Sequence, residues 1–153
     1  MNYAIVFRLL GYILMIEGVL LLLPAVTSLI YAEWAVMGVF LLTAAISAAL
    51  GFALRTIKPR SKVFYMREGF AATSLSWIVI SIVGAVPFVV TGCIPNPVDA
   101  LFETISGFTT TGSSILTDVE SISKASLFWR SFSHWIGGMG VFVFIMAILP
   151  MMG

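Results

Sequence analysis

The sequence predicts an all-α integral membrane protein with four transmembrane helices and one shorter re-entrant helix. Of its 153 residues, 60% are hydrophobic and 10% are charged, and the mean hydropathy is +1.09. These values exclude an ordinary soluble domain. A transmembrane helix needs about 20 apolar residues, so a chain of this length has room for about four. The expected surroundings are a lipid bilayer, and a formal net charge of +1 gives no reason to expect nucleic acid as a partner.

Four apolar runs account for the predicted transmembrane helices. They cover residues 9–31, 34–54, 70–92 and about 127–152. Glu17 lies inside the first run, where an ionisable side chain is costly and has either a structural or a functional role, of which we favour the structural one. A cleaved secretory signal is disfavoured, because Glu17 interrupts the apolar stretch and no small-x-small cleavage site follows it.

Basic residues predict the orientation of the chain in the membrane. Short cytoplasmic segments carry an excess of lysine and arginine. Five such residues lie between the second and third runs: Arg55, Lys58, Arg60, Lys62 and Arg67. We therefore expect this segment and the N-terminus to be cytoplasmic.

A half-length helix is predicted between the third and fourth runs. Asn96 is a good N-cap, Pro97 suits the first helical position, and Asp99 complements the positive end of the helix dipole. Gly107 is the expected stop. A helix over residues 97–106 is about 15 Å long, roughly half of the hydrocarbon thickness, so it can enter the membrane without crossing it.

The threonine-rich segment that follows, residues 108–114, is predicted to be a re-entrant ion filter. Irregular backbone at membrane depth survives only where it lines a wet cavity, and a cation filter needs carbonyl oxygens that replace the water around the ion. The negative C-terminal end of the preceding helix would favour a cation there. An isolated Thr/Gly stretch is more often a surface turn, but its position between a half-length helix and a transmembrane run favours the filter.

The motifs around this segment resemble those of the Trk-type potassium uptake proteins. That family has two leading helices followed by four helix–pore loop–helix units of potassium-channel-like fold in one polypeptide. The resemblance implies that residues 1–66 are the leading pair with a basic cytoplasmic loop, and that residues 67–153 are the first unit, with the filter near 109–113. The matching motifs are REGF at 67–70, NPVDALFET at 96–104, SGFTTTG at 106–112, FWRS at 128–131, WIGGMG at 135–140 and AILP at 147–150.

By this resemblance, potassium is the transported substrate and no cofactor is required. The backbone carbonyls of Thr110 and Thr111 would bind the ion, and Gly112 would complete the potassium-binding filter by permitting the turn. Thr109 and Ser113 would flank it. In related transporters a glycine at the filter position accompanies a preference for potassium and a serine accompanies sodium, so Gly112 implies potassium.

Residues outside the filter are predicted to support or gate the pore. Asp99 and Glu103 would either raise the local cation concentration or support the pore helix. Gly137, Gly138 and Gly140 are poor choices for a helix that merely spans, so either close packing or a gating bend accounts for them.

Polar and aromatic residues near the ends of the runs are expected to lie at the membrane interface. This applies to Arg130 and His134, whose side chains can reach water. It also applies to the tryptophans near span ends, which are Trp34, Trp129 and Trp135. Trp77 is deeper in the third run and is expected to pack inside the protein.

The resemblance also implies partners and a location. The remaining pore units would come from the same longer protein or from copies of this chain, and a cytoplasmic nucleotide-binding regulatory subunit would contact the inner side. The expected location is the bacterial or archaeal cytoplasmic membrane. One alternative is a non-conducting accessory protein that binds full-length transporters. An intramembrane serine hydrolase, with Ser113 or Ser114 beside His134, is disfavoured because no nucleophile motif surrounds these serines, so we expect no enzyme.

Overall fold

The computed structural model describes residues 3–57 and 66–148, with side chains described within 3–57 and 67–141. All regular structure in these ranges is helical, as expected for the all-α class. A single 3-10 turn, Val119–Ser121, precedes the last helix. The helices are α1 (Tyr3–Leu20), α2 (Leu22–Ile30), α3 (Trp34–Arg55), α4 (Met66–Val90), α5 (Pro97–Phe108) and α6 (Lys124–Ile148).

Three helical segments within the described ranges are long and apolar enough to cross a membrane. They are Tyr3–Ile30, Trp34–Arg55 and Arg67–Val90, and they correspond to the first three predicted runs. The first segment contains both α1 and α2, with a break at Leu21. Pro24 explains the break, because it has no amide hydrogen for the carbonyl of Leu20 and its ring crowds that carbonyl.

The fourth predicted run corresponds to α6, which has 25 residues. This helix begins at Lys124, three residues before the predicted run. Its side chains after Val141 lie outside the described ones, so its apolar second half and a fourth membrane span stay predictions.

Glycines bring the backbones of α1 and α3 into direct contact. A β-carbon at Gly11 would lie 2.7 Å from the Gly51 carbonyl oxygen, and one at Gly18 would lie 2.9 Å from that of Ala44. The Ser47 hydroxyl of α3 also donates a hydrogen bond of 2.8 Å to the Leu14 carbonyl of α1. Close approach of small residues is the usual way for membrane helices to associate.

Glu17 is buried on the same helix, with 4% of its surface exposed. Neither carboxylate oxygen has a hydrogen-bond partner among the described residues. The part of the chain that the structure describes therefore shows no hydrogen bond through which the Glu17 side chain could have the favoured structural role.

Helices α4, α5 and α6 pack around a core centred on Trp129. Its ring is fully buried and meets Phe108 edge-on, with the ring centroids 6.2 Å apart. Its indole nitrogen donates a 2.9 Å hydrogen bond to the carbonyl of Gly84. The prediction of an interfacial anchor was therefore wrong for Trp129, because a tryptophan whose N–H finds a carbonyl can be buried without penalty. Trp34 and Trp135 are exposed, at 62% and 60%.

The turn between α2 and α3 is tied to the start of α6. Glu33 follows Ala32, which has a φ of 56°. The two carboxylate oxygens of Glu33 accept hydrogen bonds from the backbone amides of Lys124 (2.9 Å) and Ala125 (3.2 Å). Amides in the first turn of a helix have no partner within the helix, so this carboxylate caps α6. The leading helices and the last helix are thereby joined.

Candidate functional site

The half-length helix predicted from the sequence is present as α5. Asn96 is its N-cap, and its side-chain oxygen accepts a 3.0 Å hydrogen bond from the Val98 amide. Pro97 and Asp99 lie in the first turn as expected. The helix has 12 residues, which corresponds to about 18 Å. Its N-terminus was therefore predicted correctly and its length nearly so.

The predicted end of the helix before Gly107 was wrong by two residues, because α5 continues through Phe108. Gly107 is buried inside the helix, and a β-carbon there would collide with the hydroxyl of Ser133 on α6. The glycine therefore serves the close approach of α5 and α6, and the helix ends by other means.

Thr110 ends the helix in a left-handed conformation, with a φ of 57°. Its amide bonds the Gly107 carbonyl at 2.9 Å, and the Thr111 amide bonds the Ser106 carbonyl at 3.0 Å. These two bonds form a Schellman motif, in which glycine is the usual left-handed residue. A β-branched residue in this region is a genuine outlier that costs roughly 1–3 kcal/mol.

Gly112 is the second left-handed residue of the segment, with a φ of 78°. No heavy atom lies within 4 Å of a β-carbon built there, so backbone conformation rather than space favours glycine. The prediction that Gly112 permits a turn is consistent with this angle.

The carbonyl oxygens of Thr110, Thr111 and Gly112 accept no hydrogen bond within the described part of the chain. The next carbonyl, that of Ser113, accepts a 2.6 Å bond from the Ser106 hydroxyl. Thr110, Thr111 and Gly112 are all exposed. The three predicted ion-binding residues thus present unsatisfied oxygens, whereas the predicted flanking residue Ser113 is held by α5.

Glu103 on α5 binds the residues that directly follow this segment. Its side chain is 1% exposed and forms an ion pair with the Nε of Arg130 on α6 at 2.5 Å. It also accepts 3.0 Å bonds from the Ser114 hydroxyl and a 2.9 Å bond from the Ile115 amide. Glu103 thus joins α5 to α6 and to residues 114–115, and its two predicted roles at the pore stay predictions.

Arg130 therefore differs from its predicted role at the membrane interface. Its side chain is only 15% exposed and is engaged by Glu103. His134, one turn later, is half-buried, and its Nδ1 lies 2.8 Å from the Arg130 carbonyl oxygen. The sequence signal for the ion pair of Glu103 and Arg130 was a lone glutamate in the half-length helix together with a lone arginine near the start of the last helix.

The glycines of α6 divide between very close packing at Gly137 and ordinary contacts at Gly138 and Gly140. A β-carbon at Gly137 would collide with the carbonyl of Phe108, the last residue of α5. At Gly138 the nearest atom is 3.9 Å away on Thr110, and at Gly140 it is 3.4 Å away on Trp77. Close packing therefore accounts for Gly137, and the gating bend stays a prediction for all three.

Comparison with known proteins gives one consistent family. The family described as "TrkH: Cation transport protein" matches residues 32–153. The Trk system potassium uptake protein TrkH of Halomonas elongata is 34% identical to the chain over 156 residues, covering 100% of the chain and 32% of its own length. TrkH of Escherichia coli is 35% identical over 158 residues, which cover 100% of the chain and 32% of the relative. TrkG of Escherichia coli is 34% identical over 151 residues, which cover 97% of the chain and 31% of the relative. The chain thus spans about a third of the length of these curated relatives.

Proposed function

Because this chain belongs to the TrkH family of cation transport proteins, whose members are ion transporters rather than enzymes, we propose that it forms one pore unit of a potassium pathway. In this unit α4 and α6 are the two membrane-crossing helices, α5 is the re-entrant pore helix, and residues 109–113 form one quarter of the filter. The substrate is potassium, in keeping with the names of the relatives.

The observation that carries the proposal is the run of carbonyls without hydrogen bonds after α5, which extends from Thr109 to Gly112 within the described part of the chain. A dehydrated cation needs several oxygens at close range, and backbone carbonyls with no competing donor can supply them. Thr110, Thr111 and Gly112 carry such carbonyls, and the left-handed angles at Thr110 and Gly112 interrupt any regular helix or strand that would engage them. The C-terminal end of α5, with its partial negative charge, lies directly before them.

The surrounding contacts give the segment a rigid support. Glu103 and Ser106 of α5 bind Ser114, Ile115 and Ser113. The ion pair with Arg130 connects the same carboxylate to α6. An ion-binding loop held in this way needs little reorganisation when the ion arrives, which favours selective binding.

The complete pathway requires three further units. They come either from the rest of a longer polypeptide or from copies of this chain, and the pore lies where four filter segments meet. A cytoplasmic nucleotide-binding regulatory subunit would contact the basic segment that begins at Arg55 and ends at Arg67, part of which lies outside the described residues.

Potassium uptake in a host that lacks its own uptake systems tests the proposal. The chain is expressed alone, and in parallel as a chimera in which it replaces the matching third of Escherichia coli TrkH. We expect the chimera to restore growth at limiting potassium. Gly112→Ser should lower the ratio of potassium to sodium flux, because serine strains a backbone with a φ of 78° and displaces the adjacent carbonyls.

Gly38→Ser is the matched control, since Gly38 is exposed on α3 and has open space around it. This variant should leave the flux ratio unchanged. Growth supported by the chain alone would mean that copies assemble into a pore. An unaltered ratio in Gly112→Ser would contradict the filter assignment, and a chimera that reaches the membrane without restoring growth would favour the accessory role.

A further inference from the structure

Two arginines from different helices meet at one tyrosine where α1 begins and α3 ends. The guanidinium carbon of Arg55 lies 5.3 Å from the centroid of the Tyr12 ring. Arg8 lies one helical turn before Tyr12, on the same face of α1. Residues four positions apart on a helix are neighbours, so Arg8 and Arg55 approach Tyr12 from two different helices. The cluster of Arg8, Tyr12 and Arg55 thus gathers two positive charges around one phenol.

The backbones of α1 and α3 fix the cluster in place. A β-carbon at Gly11 would lie 2.8 Å from the backbone nitrogen of Arg55 and 2.7 Å from the Gly51 carbonyl oxygen. The two helices therefore touch at the level of the cluster. The backbone positions from which Arg8 and Arg55 extend are therefore fixed relative to each other, so that only their side chains must be ordered when they bind a common ligand.

The cluster lies at the boundary between lipid and water. Arg8 directly precedes the first apolar run, and Arg55 is the last residue of α3. Tyr12 is 38% exposed, so its ring reaches the surface of the helix pair. Large aromatic side chains are exposed at the same end, as in the aromatic belts of membrane proteins, and they are Tyr3, Phe7 and Phe52.

No ion pair joins Arg8 or Arg55 to a carboxylate among the described residues. The ion pair described in that part of the chain joins Arg130 to Glu103, at a different site. Two guanidinium groups near one ring repel each other unless an anion is shared between them. The planar fork of each arginine matches the paired oxygens of a phosphate group, and a phenol hydroxyl can donate a further hydrogen bond to it.

We propose that Arg8, Tyr12 and Arg55 bind the phosphodiester headgroup of an anionic phospholipid, in the leaflet that surrounds the N-terminal end of α1. The lipid tails then lie along the exposed apolar surface of α1 and α3. An anionic lipid is favoured over a zwitterionic one, because the cluster offers two positive charges and no described carboxylate that would accept an ammonium group. This site is independent of the proposed filter and of the direction in which the chain is inserted.

The test measures binding to the purified full chain in a neutral detergent. The thermal unfolding midpoint is recorded while phosphatidylglycerol, phosphatidylcholine with the same acyl chains, or inorganic phosphate is titrated. We expect the unfolding midpoint to rise to saturation with phosphatidylglycerol and not to rise with phosphatidylcholine or inorganic phosphate. The double variant Arg8→Gln/Arg55→Gln should bind it about thirtyfold more weakly, from about 1 kcal/mol for each arginine near the lipid surface.

Three controls keep the test decisive. Arg67→Gln removes an exposed arginine near the start of α4, outside the cluster, and should leave the phosphatidylglycerol titration unchanged. Arg8→Lys/Arg55→Lys keeps both charges without the guanidinium fork and should bind with intermediate affinity, which covers the case in which the glutamine variant does not fold. Tyr12→Phe should weaken binding less than the double variant, because it keeps the ring beneath Arg55.

Other outcomes would overturn the proposal. An equal rise with phosphatidylcholine would mean that acyl chains alone stabilise the protein. A rise with inorganic phosphate that matches the phosphatidylglycerol titration would indicate a site for free anions. If Arg67→Gln and the double variant lose the same affinity for phosphatidylglycerol, the lipid is attracted by diffuse surface charge and there is no defined site.

Discussion

Thr110 holds a backbone conformation that its own side chain disfavours, in the middle of the proposed filter. Strain of this kind persists where surrounding bonds enforce it, and here the Schellman bonds to Gly107 and Ser106 do so. Glycine at this position would relieve the strain. A threonine in this strained conformation supplies a side chain and a stiffer backbone that glycine would not.

Thr110→Gly should therefore stabilise the fold while loosening the filter. We expect a gain of about 1 kcal/mol, the relief of strain less the entropy that glycine adds to the unfolded chain. Thermal unfolding in detergent measures it, with a shift of about 2–4 °C for a chain of this size. Potassium selectivity of the chimera should fall.

Thr109→Gly is the comparison for that experiment. Thr109 has an ordinary φ of −84°, and its hydroxyl donates a 2.7 Å bond to the Ile105 carbonyl. This variant should destabilise the protein, since it relieves no strain and loses a bond. If both glycine variants change stability in the same direction, the left-handed conformation at Thr110 is not a source of strain.

Glu103 is the residue on which the support of the filter depends most. Glu103→Gln removes one half of a buried ion pair and leaves Arg130 without its partner, which costs about 3–5 kcal/mol. We expect a marked fall in the unfolding midpoint and a loss of potassium selectivity in the chimera. Asp99→Asn, on the first turn of the same helix, should cost only about 0.3–1 kcal/mol. Equal effects of the two variants would contradict the supporting role of Glu103.

For single residues, the sequence predicts the backbone conformation better than it predicts which side chains pair. Gly112 could be assigned to a special backbone angle because glycine is the usual residue there. Thr110 could not, because the end of α5 depends on where α6 packs, and Gly107 is used for that contact. The pair of Glu103 and Arg130 lies 27 positions apart, and only the packing of α5 on α6 brings it together.

The contact between α5 and α6 decides where the filter lies relative to the last helix. Gly137 allows the Phe108 carbonyl to lie directly against α6. The proposed filter, residues 109–113, begins directly after Phe108, so we expect any displacement of α6 to be transmitted to it. Gly107 makes the reciprocal contact with Ser133 on α6.

Gly137→Ala should separate these two helices. Its methyl group would occupy the position of the Phe108 carbonyl, so one helix must move, and overpacking of this kind costs typically about 1–3 kcal/mol. We expect lower thermal stability and impaired growth with the chimera. Gly138→Ala faces only an ordinary contact with Thr110 and should be neutral or stabilising. Similar losses in both variants would show that helix flexibility, rather than close packing, requires these glycines.

The helices themselves were largely predictable, because their signals are local. Apolar length predicted the membrane segments, and the Asn96–Pro97 start predicted α5. The break at Leu21 was not predicted, although Pro24 contained the signal. The cap that Glu33 provides for α6 spans 91 positions, and no local pattern could reveal a contact of that range.

The segment between α3 and α4 and the region around α5 are predicted to lie on opposite sides of the membrane. The segment between α3 and α4 is basic, whereas the region around α5 carries Asp99, Glu103, Asp118 and Glu120. Positive charge on the inner side predicts a cytoplasmic N-terminus and places the opening of the filter outside. The position of the filter along the transport direction depends on this orientation.

Labelling of single cysteines from outside the cell would decide the orientation of the chain in the membrane. The background is Cys93→Ser, so that the native free thiol cannot be labelled. Burial raises the pKa of Cys93, but hydrogen bonds with Ser126, Thr91 and Ser123 outweigh burial and lower it below its usual value, which favours the thiolate that reacts with maleimide. Thr56→Cys and Thr117→Cys are a matched pair, since both threonines are exposed and lie at opposite ends of the helices. A maleimide that does not cross membranes should label the cysteine at position 117 in intact cells. It should label the one at position 56 only after the cells are opened, and the reverse pattern would invert the orientation and place the filter opening on the cytoplasmic side.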